Sequence, residues 1–326
     1  MRKKLMRSIS LQQSDLSFQA NTPEPVPGDG EVLVDVRLAG ICETDLQLCR
    51  GYMGFSGILG HEFIGVARSG RFEGQRVVGE INCTCEHCQW CLTGMGNHCP
   101  NRTVLGILNR DGAFADCLAI PESNLHAVPD SVSDDQAVFT EPLAAALQIS
   151  KQVDLSQRRV VVLGDGRLGI LCAKVVKLFT DDVCAIGKHE DKLQRFHQIG
   201  IETQILNDLH LGTDFDVVID CTGSSTGLET ACQLVKPRGT IVMKTTVAGN
   251  HSLSFASIVI NEINLIGSRC GPFTEALNVI DSKDLGLDDL ISHRFAIEEG
   301  ILAINTAASP DAFKVLLHFP KQASAQ

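Results

Sequence analysis

The chain has 326 residues, 44% of them hydrophobic and 21% charged, a balance that suits a globular protein of two separately cored domains. A formal charge of −11 argues against a nucleic-acid partner, because no broad basic surface is left to neutralise phosphates. No apolar run approaches the ~20 residues of a membrane helix.

The start, Met1-Arg2-Lys3-Lys4, has the charge of a signal-peptide n-region, but Ser8, Ser10, Gln12 and Gln13 interrupt the apolar stretch that should follow. A cytoplasmic protein is therefore expected. In that reducing compartment the 13 cysteines are ligands, core residues or catalysts before they are disulfides. From Met6 to Leu38 short alternating stretches with Pro/Gly punctuation, notably Pro23 to Gly30, predict an all-β module. Ala39-Gly40-Ile41-Cys42-Glu43-Thr44-Asp45 then packs a thiol, a hydroxyl and a carboxylate into one turn. Gly60-His61-Glu62 follows, with strands expected at Phe63–Ala67 and Arg76–Val78.

Cys85-x2-Cys88-x2-Cys91-x7-Cys99 is the most specific local signal, with Gly94 and Gly96 making the turn. Four thiolates closing a small loop suit tetrahedral zinc. Ligand type alone also admits an iron–sulfur site, and less readily a disulfide lobe. Cys83 falls outside the spacing, and His87 and His98 read as solvated surface residues. Further on, Ala137 to Ser150 predicts a helix crossing between domains, with Glu141 set before Pro142 in apolar surroundings. A buried carboxylate is costly unless it is paired or metal-bound, so Glu141 is a site candidate.

Arg159-Val160-Val161-Val162-Leu163, then Gly164-Asp165-Gly166-Arg167-Leu168-Gly169, then an apolar stretch from Ile170 to Phe179 predict strand, glycine turn and helix. That order is what a dinucleotide pyrophosphate needs. Gly164 permits the turn, Gly166 lets backbone approach the phosphates, and Gly169 lets the helix pack close to the sheet. Strands at Val183–Ile186, Phe215–Ile219 and Thr240–Met243 alternate with helices at Asp191–Ile199 and Leu228–Val235, with a turn at Pro237-Arg238-Gly239. An edge strand is expected over Asn264 to Ile266, and a last strand over Lys314 to Leu317. This alternation implies an α/β, doubly wound parallel sheet.

Taken in order, Gly40-Ile41-Cys42-x-Thr44-Asp45, Gly60-His61-Glu62-x-x-Gly65, the four-cysteine lobe, Glu141-Pro142-Leu143-Ala144 and the glycine turn resemble the zinc-dependent branch of the medium-chain dehydrogenase/reductase superfamily. The resemblance runs from about Glu31 to Leu317. It implies a chaperonin-10-like (GroES-like) β-rich catalytic domain over residues 1–145 and 272–326, and a Rossmann domain over 146–271. It also implies two zinc ions per subunit: a catalytic one on Cys42, His61 and Glu62 or Glu141, and a structural one on Cys85, Cys88, Cys91 and Cys99. Thr44 is expected to take the proton of the substrate hydroxyl, and Asp45 to accept a hydrogen bond from His61. Zinc as a Lewis acid would let an alkoxide form near neutral pH and expel hydride toward nicotinamide. The cofactor is expected to meet Gly164, Gly166, Arg167, Leu168, Gly169, Gly187, Lys188, His189, Thr222, Gly223, Thr245, Ser268 and Arg269.

Glutamate at both 62 and 141 resembles the polyol, sugar and threonine dehydrogenases, so a small polar secondary alcohol and its ketone are the expected substrate pair. A non-catalytic nucleotide-binding protein on the same scaffold is the alternative. Gln47 stands where alcohol dehydrogenases end a proton relay in histidine, and Glu43 where some members grip pyrophosphate with arginine. Gly187 takes the place of the acid that usually marks NAD, and Lys188 follows it, which together favour NADP over NAD. The uncharged edge strand predicts a homodimer or homotetramer.

Overall fold

β1 (Leu5–Gln12) and β2 (Asp15–Pro23) form a hairpin whose two turn residues, Gln13 and Ser14, both have positive φ, 49° and 68°. That is the backbone a two-residue hairpin loop demands. β3 (Glu31–Ile41) leads into α1 (Glu43–Cys49), followed by β4 (Gly57–Ile58), β5 (Glu62–Ala67), β6 (Arg76–Gly79) and β7 (Asn82–Cys83). After α2 (Gln89–Leu92) come β8 (Thr103–Val104), β9 (Cys117–Pro121), β10 (Leu125–Ala127), α3 (Asp134–Ala137) and α4 (Thr140–Gln152). Then βα alternation begins: β11 (Val160–Leu163), α5 (Arg167–Val176), β12 (Val183–Gly187), α6 (Glu190–Gln198), β13 (Glu202–Ile205), β14 (Phe215–Asp220), α7 (Gly227–Leu234), β15 (Val235–Met243), α8 (Ala256–Ile260) and β16 (Asn264–Gly267). The chain closes with α9 (Phe273–Ser282), β17 (Ile291–Ala296), α10 (Gly300–Ala307) and β18 (Lys314–His318).

This computed structural model describes residues 4–208, 214–245 and 255–320. They fall into two units, one running to Glu141 and resuming at Phe273, the other Pro142–Pro272. The sequence places these boundaries at 145/146 and 271/272. In the first unit the main sheet runs β10-β6-β5-β3-β18-β17, with β9 also on β3. The long β3 is its organiser, pairing antiparallel with β5, β9 and β18. Val32, Val34, Val36, Ala39 and Ile41 of β3 are buried.

The second unit is one six-stranded parallel sheet in the order β13-β12-β11-β14-β15-β16, the doubly wound Rossmann topology. β11 is central and all four of its residues are buried, as a strand covered on both faces must be. Its register sets Leu163 beside Ile186 and Asp220, so the carboxyl ends of β11, β12 and β14 meet along one edge. Ligands bind in such sheets at that edge, where the strand order reverses.

Several local expectations shift. The glycine-turn helix begins at Arg167 rather than Ile170, because Gly166 is its N-cap, and ends at Val176, leaving Leu178 and Phe179 partly exposed. The helix expected over Ala137–Ser150 is two, α3 and α4. The predicted Pro237–Gly239 turn lies inside β15 as an irregularity, with Arg238 at φ 63° and a register shift opposite Phe215/Val217. Among the described residues no helix is long and apolar enough to cross a membrane.

Candidate active site and metal centres

The end of β3 and the start of β5 build the first cluster. Their pairing puts Gly40 opposite Glu62, which carries Cys42 toward His61 and Glu62. A Cβ at position 40 would run into the Glu62 carboxylate, so any larger residue there would displace that side chain. One ligand atom each from Cys42, His61 and Glu62 lie within 4.8 Å of one another. Cys42 is the N-cap of α1, and Asp45 locks that corner: its Oδ2 accepts from the Cys42 backbone N–H at 2.8 Å, its Oδ1 from that of Gly60 at 3.3 Å. Asp45 is fully buried.

The expected hydrogen bond from His61 to Asp45 is looser than the sequence suggests. His61 Nδ1 lies 3.4 Å from Asp45 Oδ1, within reach of its charge, but is buried without a hydrogen-bond partner. Burial pushes the His61 pKa down, yet the negative charges of Asp45 and Cys42 outweigh it and hold it well above the ordinary value. A thiol, an imidazole and a carboxylate so arranged call for a cation, and their N, O and S donors suit zinc. Thr44 Oγ1 stands 3.8 Å from Cys42 Sγ, inside the same corner.

Two further observations concern the carboxylates of the expected ligand set. Glu62 is ion-paired to Lys314, itself 4% exposed, so its charge is already compensated by a lysine at the start of β18. Lys314 was not singled out from sequence; the signal was a lysine opening a strand buried over its next three residues. Glu141, half-buried in the first turn of α4, lies outside the group of convergent ligand atoms.

The second cluster is Cys85, Cys88, Cys91 and Cys99, whose sulfurs also fall within 4.8 Å. Adjacent pairs stand 3.5 Å (Cys88–Cys91), 3.8 Å (Cys88–Cys99) and 3.5 Å (Cys85–Cys99) apart. Backbone N–H groups, chiefly that of His87, pull the Cys85 thiol down to about 6, a thiolate ready for a metal. Cys83 takes no part: burial pushes its thiol up to about 11, and Asn124 Nδ2 donates to its sulfur at 3.8 Å. Cys117 and Cys184, pushed by burial to about 12, are likewise inert core thiols.

The third arrangement lies at the carboxyl edge of the parallel sheet. Gly164 has φ 121°, and a Cβ on Gly169 would strike the Gly164 carbonyl, so both glycines are required by the close turn. A Cβ on Gly166 would meet nothing within 4 Å, leaving open space before the α5 N-terminus for a pyrophosphate, with Arg167 and Leu168 in the first turn. Asp220, missed from sequence, ties the next loop together. Its Oδ1 accepts from Thr222 N (2.9 Å), Thr222 Oγ1 (2.8 Å) and Thr245 Oγ1 (3.0 Å), and Gly223 N donates to Thr245 Oγ1 at 3.0 Å. Ser268 N donates to Met243 O at 3.0 Å, with Arg269 following. Gly187, Lys188 and His189 form the β12–α6 turn, where a carboxylate does stand. It belongs to Asp165, not to residue 187.

The alcohol dehydrogenase GroES-like domain matches residues 28–130, and the zinc-binding dehydrogenase domain matches residues 166–282. The chain belongs to the zinc-containing medium-chain alcohol/polyol dehydrogenase superfamily, with a GroES-like domain and a Rossmann domain. It is 29% identical to sorbitol dehydrogenase of Halalkalibacterium halodurans, over 90% of this chain and 93% of that one. A zinc-binding dehydrogenase from Sinorhizobium meliloti, solved with NADP, superposes with a TM-score of 0.87 at 26% identity, covering 97% of this chain and all of that one. A short chain alcohol dehydrogenase of Escherichia coli CFT073, complexed with NADH, gives 0.87 at 27% identity over 96% and 99%. The protein is thus a zinc-dependent, NAD(P)-dependent oxidoreductase of the alcohol/polyol type.

Proposed function

We propose that the chain interconverts a small polar secondary alcohol, a polyol or sugar by preference, and its ketone. The observation that carries this reading is the convergence of Cys42, His61 and Glu62 beside Thr44 in a corner locked by Asp45. Zinc, when bound, supplies the Lewis acidity that makes a hydroxyl acidic near neutral pH, and nicotinamide supplies the hydride acceptor. The chain's own residues do the rest. Cys42, His61 and Glu62 would hold the metal. Thr44 would relay the hydroxyl proton, accepting it at Oγ1 as its own hydroxyl proton passes on to solvent. Asp45, fixed by two backbone amides, keeps His61 in place through charge. Lys314, ion-paired to Glu62 through Oε2, balances part of that carboxylate's charge. Gln47 donates to Glu43 Oε1 at 2.9 Å and cannot carry a proton onward, so proton exit ends at Thr44 and solvent. The test is absorbance at 340 nm across a panel of polyols, sugar alcohols, 3-hydroxy amino acids and simple alcohols with zinc-loaded protein. Turnover confined to primary monoalcohols, or none at all with both zincs bound, sinks the reading.

The same proposal includes a homo-oligomer. β16 is an edge strand, and beside it Phe255, Val259 and Ile260 are 67%, 73% and 77% exposed, with Leu265 at 43%. An apolar edge of this kind pairs with its symmetry mate rather than with water. Light scattering at micromolar concentration should give a dimer or tetramer mass, and Val259→Glu with Ile260→Glu should shift it toward the monomer. A monomeric wild type refutes this.

A further inference from the structure

In a doubly wound nucleotide-binding unit, the acid that reads the adenosine ribose comes from the carboxyl end of the second strand. In β12 that position is Gly187, which has no side chain to offer. The space is nevertheless filled. A Cβ built on Gly187 would lie 2.5 Å from both Cβ and Oδ2 of Asp165, the middle residue of the glycine turn. Three donors converge on that Oδ2: the backbone N–H of Lys188 at 2.7 Å, that of His189 at 2.7 Å, and His189 Nδ1 at 3.0 Å. None of the three involves Oδ1. Asp165 is 8% exposed, and Gly187 at the strand's end is buried, so this is a fixed arrangement, not a surface contact.

We propose that Asp165 is the residue that selects between the two nicotinamide cofactors, and that it selects NAD. It supplies from the glycine turn the carboxylate that residue 187 lacks, with Oδ1 available to accept from a ribose hydroxyl. It also excludes the 2′-phosphate twice over. The two amides and the ring nitrogen are the anion cradle such a phosphate would use, and Oδ2 already occupies it. A phosphate arriving beside it meets a like charge in a poorly screened place. Lys188 pulls the other way, but its side chain is exposed and its attraction is weakened by solvent. The buried, pinned carboxylate wins. This reverses the preference for NADP expected from Gly187 and Lys188, and it rests on the oxidoreductase reading only in requiring that a nicotinamide dinucleotide bind.

The experiment measures dissociation constants for NADH and NADPH by nucleotide fluorescence, with the full-length protein and without turnover. Wild type should bind NADH at least tenfold more tightly than NADPH. Asp165→Ser frees the cradle beside Lys188 and His189 and should tighten NADPH at least tenfold while weakening NADH. Asp165→Asn keeps the shape without the charge, and should lie between the two; it serves as the measured variant if Asp165→Ser does not fold. Wild-type preference for NADPH, or variants that change both cofactors by the same factor, overturns the proposal and leaves the dehydrogenase reading standing. Failure of wild type to bind either cofactor overturns both.

Discussion

Lys314→Met should lower the unfolding free energy by about 3–5 kcal/mol, the largest single-residue loss expected outside the apolar core. Glu62 is 1% exposed and Lys314 4%, and each is the other's partner in an ion pair. Removing the ammonium strands a carboxylate in a place with almost no water. Restoring solvation there means opening the sheet between β3, β5 and β18. A loss of that size in a unit of roughly 200 residues lowers the midpoint of thermal unfolding by about 10 °C. Lys314 Nζ also sits 5.4 Å from the centre of the Phe139 ring, a lesser contribution that methionine replaces in part. The pair predicts strong non-additivity: Glu62→Gln with Lys314→Met together should cost much less than the sum of the two separately. Urea titrations of the four proteins, stripped of metal, measure this. Repeating them with zinc asks a second question. With the Glu62 charge uncompensated once Lys314 is gone, zinc should recover more stability in Lys314→Met than in wild type. Additive costs within ~0.5 kcal/mol would mean that the two side chains do not depend on each other.

That pair also shows where sequence reading stops. Strand, turn and helix from Arg159 onward were legible because each is a local pattern: β-branched residues, then glycines at fixed spacing, then an apolar periodic run. The four-cysteine lobe was legible for the same reason, all its ligands lying within fifteen residues. Lys314 lies 252 residues from Glu62 and meets it only because β3 pairs with both β5 and β18, a fact of register that no short window contains. β13, with its half-exposed Glu202-Thr203-Gln204-Ile205, lacks the apolar signature of the strands it extends. Asp165 was in plain view inside the glycine turn, but its role comes from the empty Cβ position at Gly187, twenty-two residues on. Reading position 187 by itself gave the opposite inference about charge.

Cys42→Ser and Cys88→Ser should separate the two metal centres completely. Wild type is expected to carry two zinc ions per chain by metal analysis, and each variant one. Cys42 sits at the N-cap of a short helix whose corner Asp45 holds through two backbone amides whether or not a metal is present. Its loss should therefore leave stability within about 1 kcal/mol of wild type. Activity is another matter. Lewis-acid stabilisation is worth several kcal/mol, and at ~1.4 kcal/mol per tenfold the rate should fall by about a thousandfold or more. Cys88 has the opposite balance. The segment from Cys85 to Cys99 contains only the single turn of α2 and a 3-10 turn, and its exposed Trp90, Leu92 and Met95 form no core of their own. Such a lobe takes its order from the metal, whose binding energy is folding energy where no preformed core exists. Cys88→Ser should expose the lobe to proteolysis and lower the unfolding midpoint. Any molecules that remain folded should keep their nucleotide affinity, because that site is built from the other unit. Chelation with an excess of EDTA at falling pH should strip the wild-type ions faster, since protons compete for the thiolates. If Cys88→Ser abolished turnover with the lobe still protease-resistant while Cys42→Ser spared it, the roles assigned to the two centres would be exchanged.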